Sequence, residues 1–444
     1  MKKSSFIIGL MIITLFSLSS LLFAAEPPPV RIGFLYPLTG KMSAVGREAL
    51  RGAQIAVDQV NEKGGIWNGR KIELVTADAS DTEAARTETE RLCTVEKVKA
   101  ILGVYSSTLA FVAHAVADKH GVFFWESNAI APRLRKMGHK YTFFFGPKAS
   151  GYGFNSAQAI YDIVAPGLGI APKDLRIAAV YQGTEWGKGS TGQAFIPKAK
   201  ELGMKIVADE AYDPKSLDYS SLVQKIKLKN PDVVVFQSYI DDGFRLFRDA
   251  RKNGLNPKVW FAQGAVNVEV PDAFEKFGDD MNYIMATNQV SGGNIRNLSP
   301  MTQAQFKDFL KRYKEKYGPK KQAEADIVYT AAAAFFEYVL PAAGSLDPEK
   351  LAAVAHDLSL PHTATARPGG LKFSSASDEF ANQNLRAGVM VRQIFNGIHY
   401  TVWPKEIAEI EPILPSPRWG QRKIDQAEVE KRLLLPKEHL IHFQ

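Results

Sequence analysis

Two short segments carry groups fit to hold a small anion. In residues 101–107 (ILGVYSS) a strand-like run ends in two serines where a helix begins. Unpaired N–H groups and the positive end of the helix dipole converge at such a place, and a serine hydroxyl adds a donor. Ser107 therefore suits a carboxylate, although a serine there can also simply cap the helix. Tyr105 stands just before it. The second segment is residues 124–132 (FWESNAIAP), which follows the next strand. It opens at the same carboxyl edge of the sheet, where doubly wound folds bind ligands. The backbone amides of Asn128, Ala129 and Ile130 are placed to complete a carboxylate cradle. Glu126 reads either as a contact for a cationic group or as a surface acid.

Signals for catalysis are weak. The chain has no HExxH, CxxC or GxSxG motif. Residues 183–188 fall short of a P-loop, because the glycine spacing is one short and Gly189 stands where Ser or Thr would hold magnesium. Gly187-x-Gly189-x-x-Gly192 satisfies GxGxxG, follows a strand and opens a helix, with Asp209 and Glu210 at the distance a dinucleotide site would want. However, residues 182–186 separate the strand from the glycines, whereas the fingerprint needs them in the first tight turn. A loop entering a helix is the preferred reading. His439 and His442 lie in the terminal tail and are too few for a metal centre. Cys93 is the single cysteine, so no intrachain disulfide can form. No cofactor and no metal are expected.

The elements that must position these groups alternate in type. Strands are expected over 30–38, 71–76, 100–104 and 122–125, with helices over 44–61, 81–97 and 107–120 between them. A similar set follows Gly146, with strands near 177–181, 205–208 and 232–237 and helices near 189–202 and 219–228. Strands alternating with helices imply parallel sheets, and two such runs imply two doubly wound lobes. Helices near 301–317, 326–340 and 348–358 come next. A hairpin then follows over 387–395 and 399–403, turning at Asn396-Gly397. Residues 404–444 read as a peripheral tail.

The chain has 444 residues, 45% of them hydrophobic and 23% charged, with a formal charge of +8. That is ample material for more than one core and excludes disorder as the main state. The charge surplus is too thin over so long a chain to point to nucleic acid. Residues 1–25 have a secretory leader's three-part design: Lys2 and Lys3, an apolar run from Phe6 to Phe23, then Ala24 and Ala25 before three prolines. An uncleaved anchor is the competing reading, since the apolar run is nearly long enough to span a membrane.

From these residues a resemblance emerges. Ile32-Gly33 through Tyr36-Pro37-Leu38-Thr39-Gly40, Gly52-Ala53 through Ala56-Val57, Asn61 through Gly64-Gly65 and Asn68-Gly69-Arg70 stand in a recognisable order. They are followed by Ile72-Glu73-Leu74-Val75, Asp78, Ser106-Ser107, Tyr181 through Trp186-Gly187, and Trp403-Pro404. Over residues 30–418 the chain resembles the branched-chain amino-acid-binding family of periplasmic binding proteins, the leucine/isoleucine/valine-binding type that serves ABC importers. The resemblance implies a type I periplasmic binding protein: two α/β lobes joined by three crossover strands, with a ligand clamped between them. It places the first lobe at 26–146 plus 289–387, the second at 147–288 plus 388–430, and a tail at 431–444. It implies a monomer that takes a small carboxylate-bearing ligand, most simply an amino acid, and docks on a membrane permease. Carried over to this chain, the family's carboxylate-binding serine is Ser107, preceded by Tyr105. The adjoining cradle is Asn128, Ala129 and Ile130, the covering aromatic is Trp186, and a tyrosine of the second lobe is Tyr239.

Two departures matter. Ile130 stands where the family often has a hydroxyl, and Gln263 stands where the family has the acid that meets the ligand's ammonium. Burying an ammonium ion without a carboxylate partner is costly. Either Glu126, Asp241 or Asp242 supplies the charge, or the ligand is an aromatic or other organic carboxylate, or an amide or urea-type solute. Tyr105, Trp125, Trp186 and Tyr239 make an aromatic-rich candidate cleft. A ligand-sensing subunit would share the same fold, and an exported NAD-dependent enzyme is the remote alternative.

Overall fold

Five strands come first along the chain: β1 (Val30–Tyr36), β2 (Ile72–Asp78), β3 (Ala100–Gly103), β4 (Phe123–Glu126) and β5 (Thr142–Phe144). They are parallel throughout and lie in the order β2-β1-β3-β4-β5. The computed structural model describes residues 27–264, 268, 270–289, 298–319, 323–366, 369–436 and 440. The expected leader and the two tail histidines lie outside the described residues. Apolar side chains fill both faces of this sheet, as a parallel sheet covered by helices requires. One face packs on helices Ser43–Glu62, Pro300–Tyr317 and Ala323–Ala334, the other on Thr82–Thr94 and Ser107–Lys119.

The second sheet repeats the plan. Its parallel part comprises β6 (Arg176–Gln182), β7 (Lys205–Tyr212), β8 (Val233–Gln237), β9 (Val259–Gln263) and β10 (Met285–Gln289). Their order is β7-β6-β8-β9-β10. In both sheets the first strand sits between the second and third, so each has a topological switch point beside its first strand. Ligands of doubly wound folds bind outside the strand ends at that point. A two-stranded sheet of β11 (Ser359–Leu360) and β12 (Leu371–Lys372) follows. The chain then adds β13 (Val389–Phe395) and β14 (Ile398–Trp403), which pair antiparallel beyond β10. The second sheet is therefore mixed. Sequence reading missed β5, β9 and β10 as strands, because short, continuously buried runs lack the alternation that marks a half-exposed strand.

The chain crosses between the sheets three times: after β5, after β10 and before β13. Two crossings are tied directly. Asn384 N–H donates to the Phe144 carbonyl at 3.0 Å, and Gln383 Nε2 donates to the Gly146 carbonyl at 2.8 Å. Residues 404–436 depart from the expected peripheral tail. Ile410 and Val429 are buried in the second lobe's core, and Trp419 lies 5.5 Å from Trp260, ring to ring, with its Nε1 on the Leu255 carbonyl at 2.8 Å. Isolated prolines along this stretch look like a linker in sequence, while the apolar residues between them cover the outer side of the sheet. Among the described residues, no single helix is long and apolar enough to cross a membrane.

One close approach sets the geometry of the first lobe. At Gly52 a Cβ would lie 2.2 Å from the Ala325 carbonyl oxygen, so the helices Ser43–Glu62 and Ala323–Ala334 touch backbone to backbone. Gly52→Ala is expected to lower stability by ~1–3 kcal/mol through overpacking. The check is the urea midpoint at unchanged m-value; an unchanged midpoint contradicts the tight crossing.

Candidate functional site

The two switch points face each other across a cavity. From the first lobe come Val45, Tyr105, Ser106, Ser107, Asn128, Ile130, Glu324 and Ile327; from the second come Trp186, Tyr239, Gly264 and Val270. Tyr152, in the helix that follows the first crossing, Asn288 in β10 and Ala323 complete the described lining. Six residues expected from sequence are thus brought together: Tyr105, Ser107, Asn128, Ile130, Trp186 and Tyr239. The free space is ≈ 60 Å³, about what four or five ordered waters need, which suits a compact solute. A wider cavity of ≈ 410 Å³ lies on the other side of Tyr105, Ser106 and Tyr239, lined by Lys41, Asp81, Asp241, Asp242 and Arg245 among others.

Three expected site residues do not line the inner cavity. Glu126 is neither a ligand contact nor a surface acid: its side chain is buried, and its carboxylate collects donors from its own lobe. Oε1 accepts from the Asn128 and Ala129 amides, both at 2.7 Å, and from Val104 N–H at 3.1 Å. Oε2 meets His114 Nε2 at 2.7 Å. The expected amide cradle is therefore turned inward, since two of its three amides hold Glu126 and the third, Ile130 N–H, lies 3.3 Å from Ser107 Oγ. Ala129 is accordingly a buried spacer. Gln263 is also buried behind the wall, accepting from Thr191 Oγ1 at 2.5 Å, with its Nε2 unpartnered.

The candidate counter-charges fare similarly. Asp242 accepts from Gln182 Nε2 at 2.7 Å and from the Tyr212 hydroxyl at 2.6 Å, and burial raises its pKa above the usual carboxylate range. Asp241 lines only the outer cavity. Trp125 belongs to the first lobe's core, not the cleft. It packs on Phe335 at 5.4 Å and donates to the Ala331 carbonyl at 2.9 Å.

Ser107 is the first residue of helix Ser107–Lys119. Its oxygen accepts the Ile130 and Ala131 amides, at 3.3 and 3.1 Å, which leaves its proton to be donated. Tyr239 precedes helix Ile240–Lys252 and bridges the lobes, with its ring 6.0 Å from Tyr105 and 4.8 Å from Trp186. Trp186 lines the cavity, and its Nε1 is buried without a partner. Burial lifts the Tyr105 and Tyr239 phenols well above their usual range, so both stay neutral.

The glycines of the GxGxxG run are packing residues. Gly187 and its neighbours lie inside a helical stretch, and a Cβ on Gly187 would meet the Gln182 carbonyl oxygen at 2.1 Å. No phosphate-cradling turn exists there. Sequence reading missed Glu324, which arrives from a distant helix. Its signal was an acid in the first turn of an otherwise alanine-rich, buried helix.

Two opposed lobes with a solute-sized cavity between their switch points define a cleft-type binding protein. The periplasmic binding protein family model matches residues 29–393. Leu/Ile/Val-binding protein homolog 8 of Brucella abortus (strain 2308) is 32% identical over 395 residues, 88% of this chain and 94% of that protein. Among solved structures, the branched-chain amino acid transporter substrate binding protein LivJ of Streptococcus pneumoniae, in complex with isoleucine, superposes with TM-score 0.67. It has 22% identity and covers 84% of this chain and 97% of its own. A solute binding protein of an ABC transporter from R. palustris, in complex with benzoate, gives TM-score 0.67 at 17% identity, over 90% of this chain and 98% of its own. The chain belongs to the periplasmic binding protein family, whose members bind solutes and are not enzymes.

The buried Glu126–His114 pair has a pH signature. Burial pushes the His114 imidazole below its ordinary value, against the pull of Glu126, so the folded protein keeps it neutral in mild acid. The unfolded chain takes up that proton near pH ~6.5. The stability due to neutral His114 is therefore complete above that pH and is lost as pH falls towards the depressed folded value. Tm is expected to fall between about pH 7 and pH 5. His114→Gln, which keeps a donor for Glu126, should shrink that fall, leaving the share due to His356, which burial also lowers. An equal fall in the variant would remove His114 as its cause.

Proposed function

We propose that this protein is the solute receptor of an ABC importer and that it captures a small carboxylate-bearing ligand between its lobes by hinge closure. The observation that carries this reading is the cavity between the two switch points, with Ser107 on one side and Trp186 on the other. Ligand lands on the first lobe, where Ser107 donates to its carboxylate and Tyr105, Asn128 and Ile130 shape the floor. The second lobe then brings Trp186 and Tyr239 over it, and Gly264 in place of its neighbour Gln263. Closure removes water and strengthens each polar contact. No bond in the ligand changes.

The hinge is the set of three crossings, dividing the chain into 26–146 plus 289–387 and 147–288 plus 388–430. The family's location is the periplasm, and residues 1–25 are read as the leader that takes the chain there. The closed form acts as a monomer and docks on a permease. An amino acid of the branched-chain kind is the first reading of the ligand, in line with the Brucella relatives' name. The ring-lined wall of Tyr105, Trp186 and Tyr239 favours an aromatic carboxylate as the second.

The test is mass spectrometry of small molecules released when the purified protein is denatured. A retained carboxylate supports the reading, and a converted substrate contradicts it. For the released compound, Ser107→Ala should weaken binding by ~1–3 kcal/mol. It should also lower Tm, because the Ile130 and Ala131 amides lose their acceptor. An unchanged dissociation constant would remove Ser107 from the site.

A further inference from the structure

Gly264 directly follows β9, and two features fix it in place. Its N–H donates to the Thr287 carbonyl of β10 at 2.9 Å, and its φ of +63° lies in the left-handed region that glycine adopts without strain. The six-membered ring of the Trp186 indole lies over its bare α-carbon. A Cβ on Gly264 would stand 2.3 Å from Trp186 Cζ2, 3.1 Å from Cη2 and 3.4 Å from Cε2. Both residues line the inner cavity.

Trp186 has little room to retreat. The backbone beside it is already tight, since a Cβ on Gly187 would meet the Gln182 carbonyl oxygen at 2.1 Å and Gln237 Oε1 at 2.5 Å. Its side chain packs in a small apolar cluster with Ile130, Ala149, Tyr152, Val389 and Tyr239. Of these, Ile130, Tyr152 and Tyr239 line the same cavity. A side chain at position 264 would have to open the 2.3 Å approach to an ordinary carbon–carbon contact of ~3.5–4.0 Å. The ring would therefore move by about 1 Å or more, and it would move against the cavity's own walls. With ≈ 60 Å³ free, a guest feels a shift of that size.

We infer that Gly264 is a positioning residue that sets how bulky a carboxylate the cavity admits, because its missing side chain lets the Trp186 ring lie back on the second lobe. This rests on the receptor reading above and deepens it by naming a determinant of ligand size. The selecting residue offers the guest no side chain of its own and acts through the ring that rests on it.

The test uses two series of rising bulk: glycine, L-alanine, L-valine and L-isoleucine, and acetate, butanoate and benzoate. Each compound is titrated calorimetrically into ligand-stripped native protein, Gly264→Ala, Trp186→Leu and the double variant. In Gly264→Ala, the bulkiest compound that the native protein holds should lose tenfold or more in affinity, and the smallest that it holds less than threefold. In the Trp186→Leu background the same change should cost less than threefold, because the obstructing ring is gone. An equal loss for small and bulky members, or an equal loss in both backgrounds, overturns the inference while the receptor reading stands. A crystal structure of Gly264→Ala gives a readout that needs no ligand: a Trp186 ring displaced into a smaller cavity supports the inference, and an unmoved ring overturns it. Should Gly264→Ala fail to fold, its recovery by Trp186→Leu supports the inference, and failure in both backgrounds contradicts it. No heat from any compound with the native protein counts against the receptor reading, and the crystal structure then decides the inference.

Discussion

A carboxylate buried at the end of a β-strand must be given hydrogen bonds, because an ion taken out of water loses several kcal/mol of solvation. Glu126 meets that requirement with groups from three places: the Val104 amide after β3, the Asn128 and Ala129 amides after β4, and the His114 ring from the helix between those strands. The result is a single fastening that fixes the two loops at the first lobe's switch point relative to each other. Ser107 then adds a second clasp, accepting the Ile130 and Ala131 amides. The two loops that flank the cavity are therefore ordered without a guest, so a ligand held there would not have to supply the cost of ordering them.

The same loops are wired to the hinge. Arg135 is buried, and burial pulls its pKa down to about 9. It donates to the Ala129 and Ala131 carbonyls, both at 3.0 Å, and to Gln383 Oε1 at 2.7 Å, with its guanidinium carbon 4.2 Å from the Phe144 ring centroid. Asn128 meets Gln289 at 3.0 Å. The loop over residues 128–131 is thus linked to each of the three crossings, to Gln289 directly and to Phe144 and Gln383 through Arg135. In the proposed function, a ligand held at this loop acts on hydrogen bonds that already reach the segments linking the lobes.

Much of this was legible in the sequence. The βα alternation gave the two sheets, because strand and helix periodicities differ locally and need no knowledge of the partner segment. Ser107 was also legible as a cavity residue, since it opens a helix after a strand end, whereas Trp186 and Tyr239 came only through the family resemblance. What failed was the direction in which groups turn. Nothing local told that the Asn128 and Ala129 amides point at Glu126, because that depends on the carboxylate being buried by its neighbours. Glu324 was missed for a related reason: its acid marks the start of a helix, but nothing local tells that this helix, nearly two hundred positions further on, reaches the cavity beside the Gly52 contact. Trp125, in β4, and Trp186, just after β6, have the same side chain near the carboxyl ends of their sheets. Only packing decides that the first fills a core and the second covers a cavity.

All of this depends on one location for the guest, the space where the starts of two opposed helices and four aromatic rings converge. The most direct measurement is a crystal structure of the protein with the molecule it retains through purification. The account predicts density between the Ser107 hydroxyl and the Trp186 ring, with the lobes closed over it. A molecule bound instead in the outer cavity by Asp241 and Arg245, or in the surface groove between Arg86 and Lys119, with the inner space filled only by water, would contradict it.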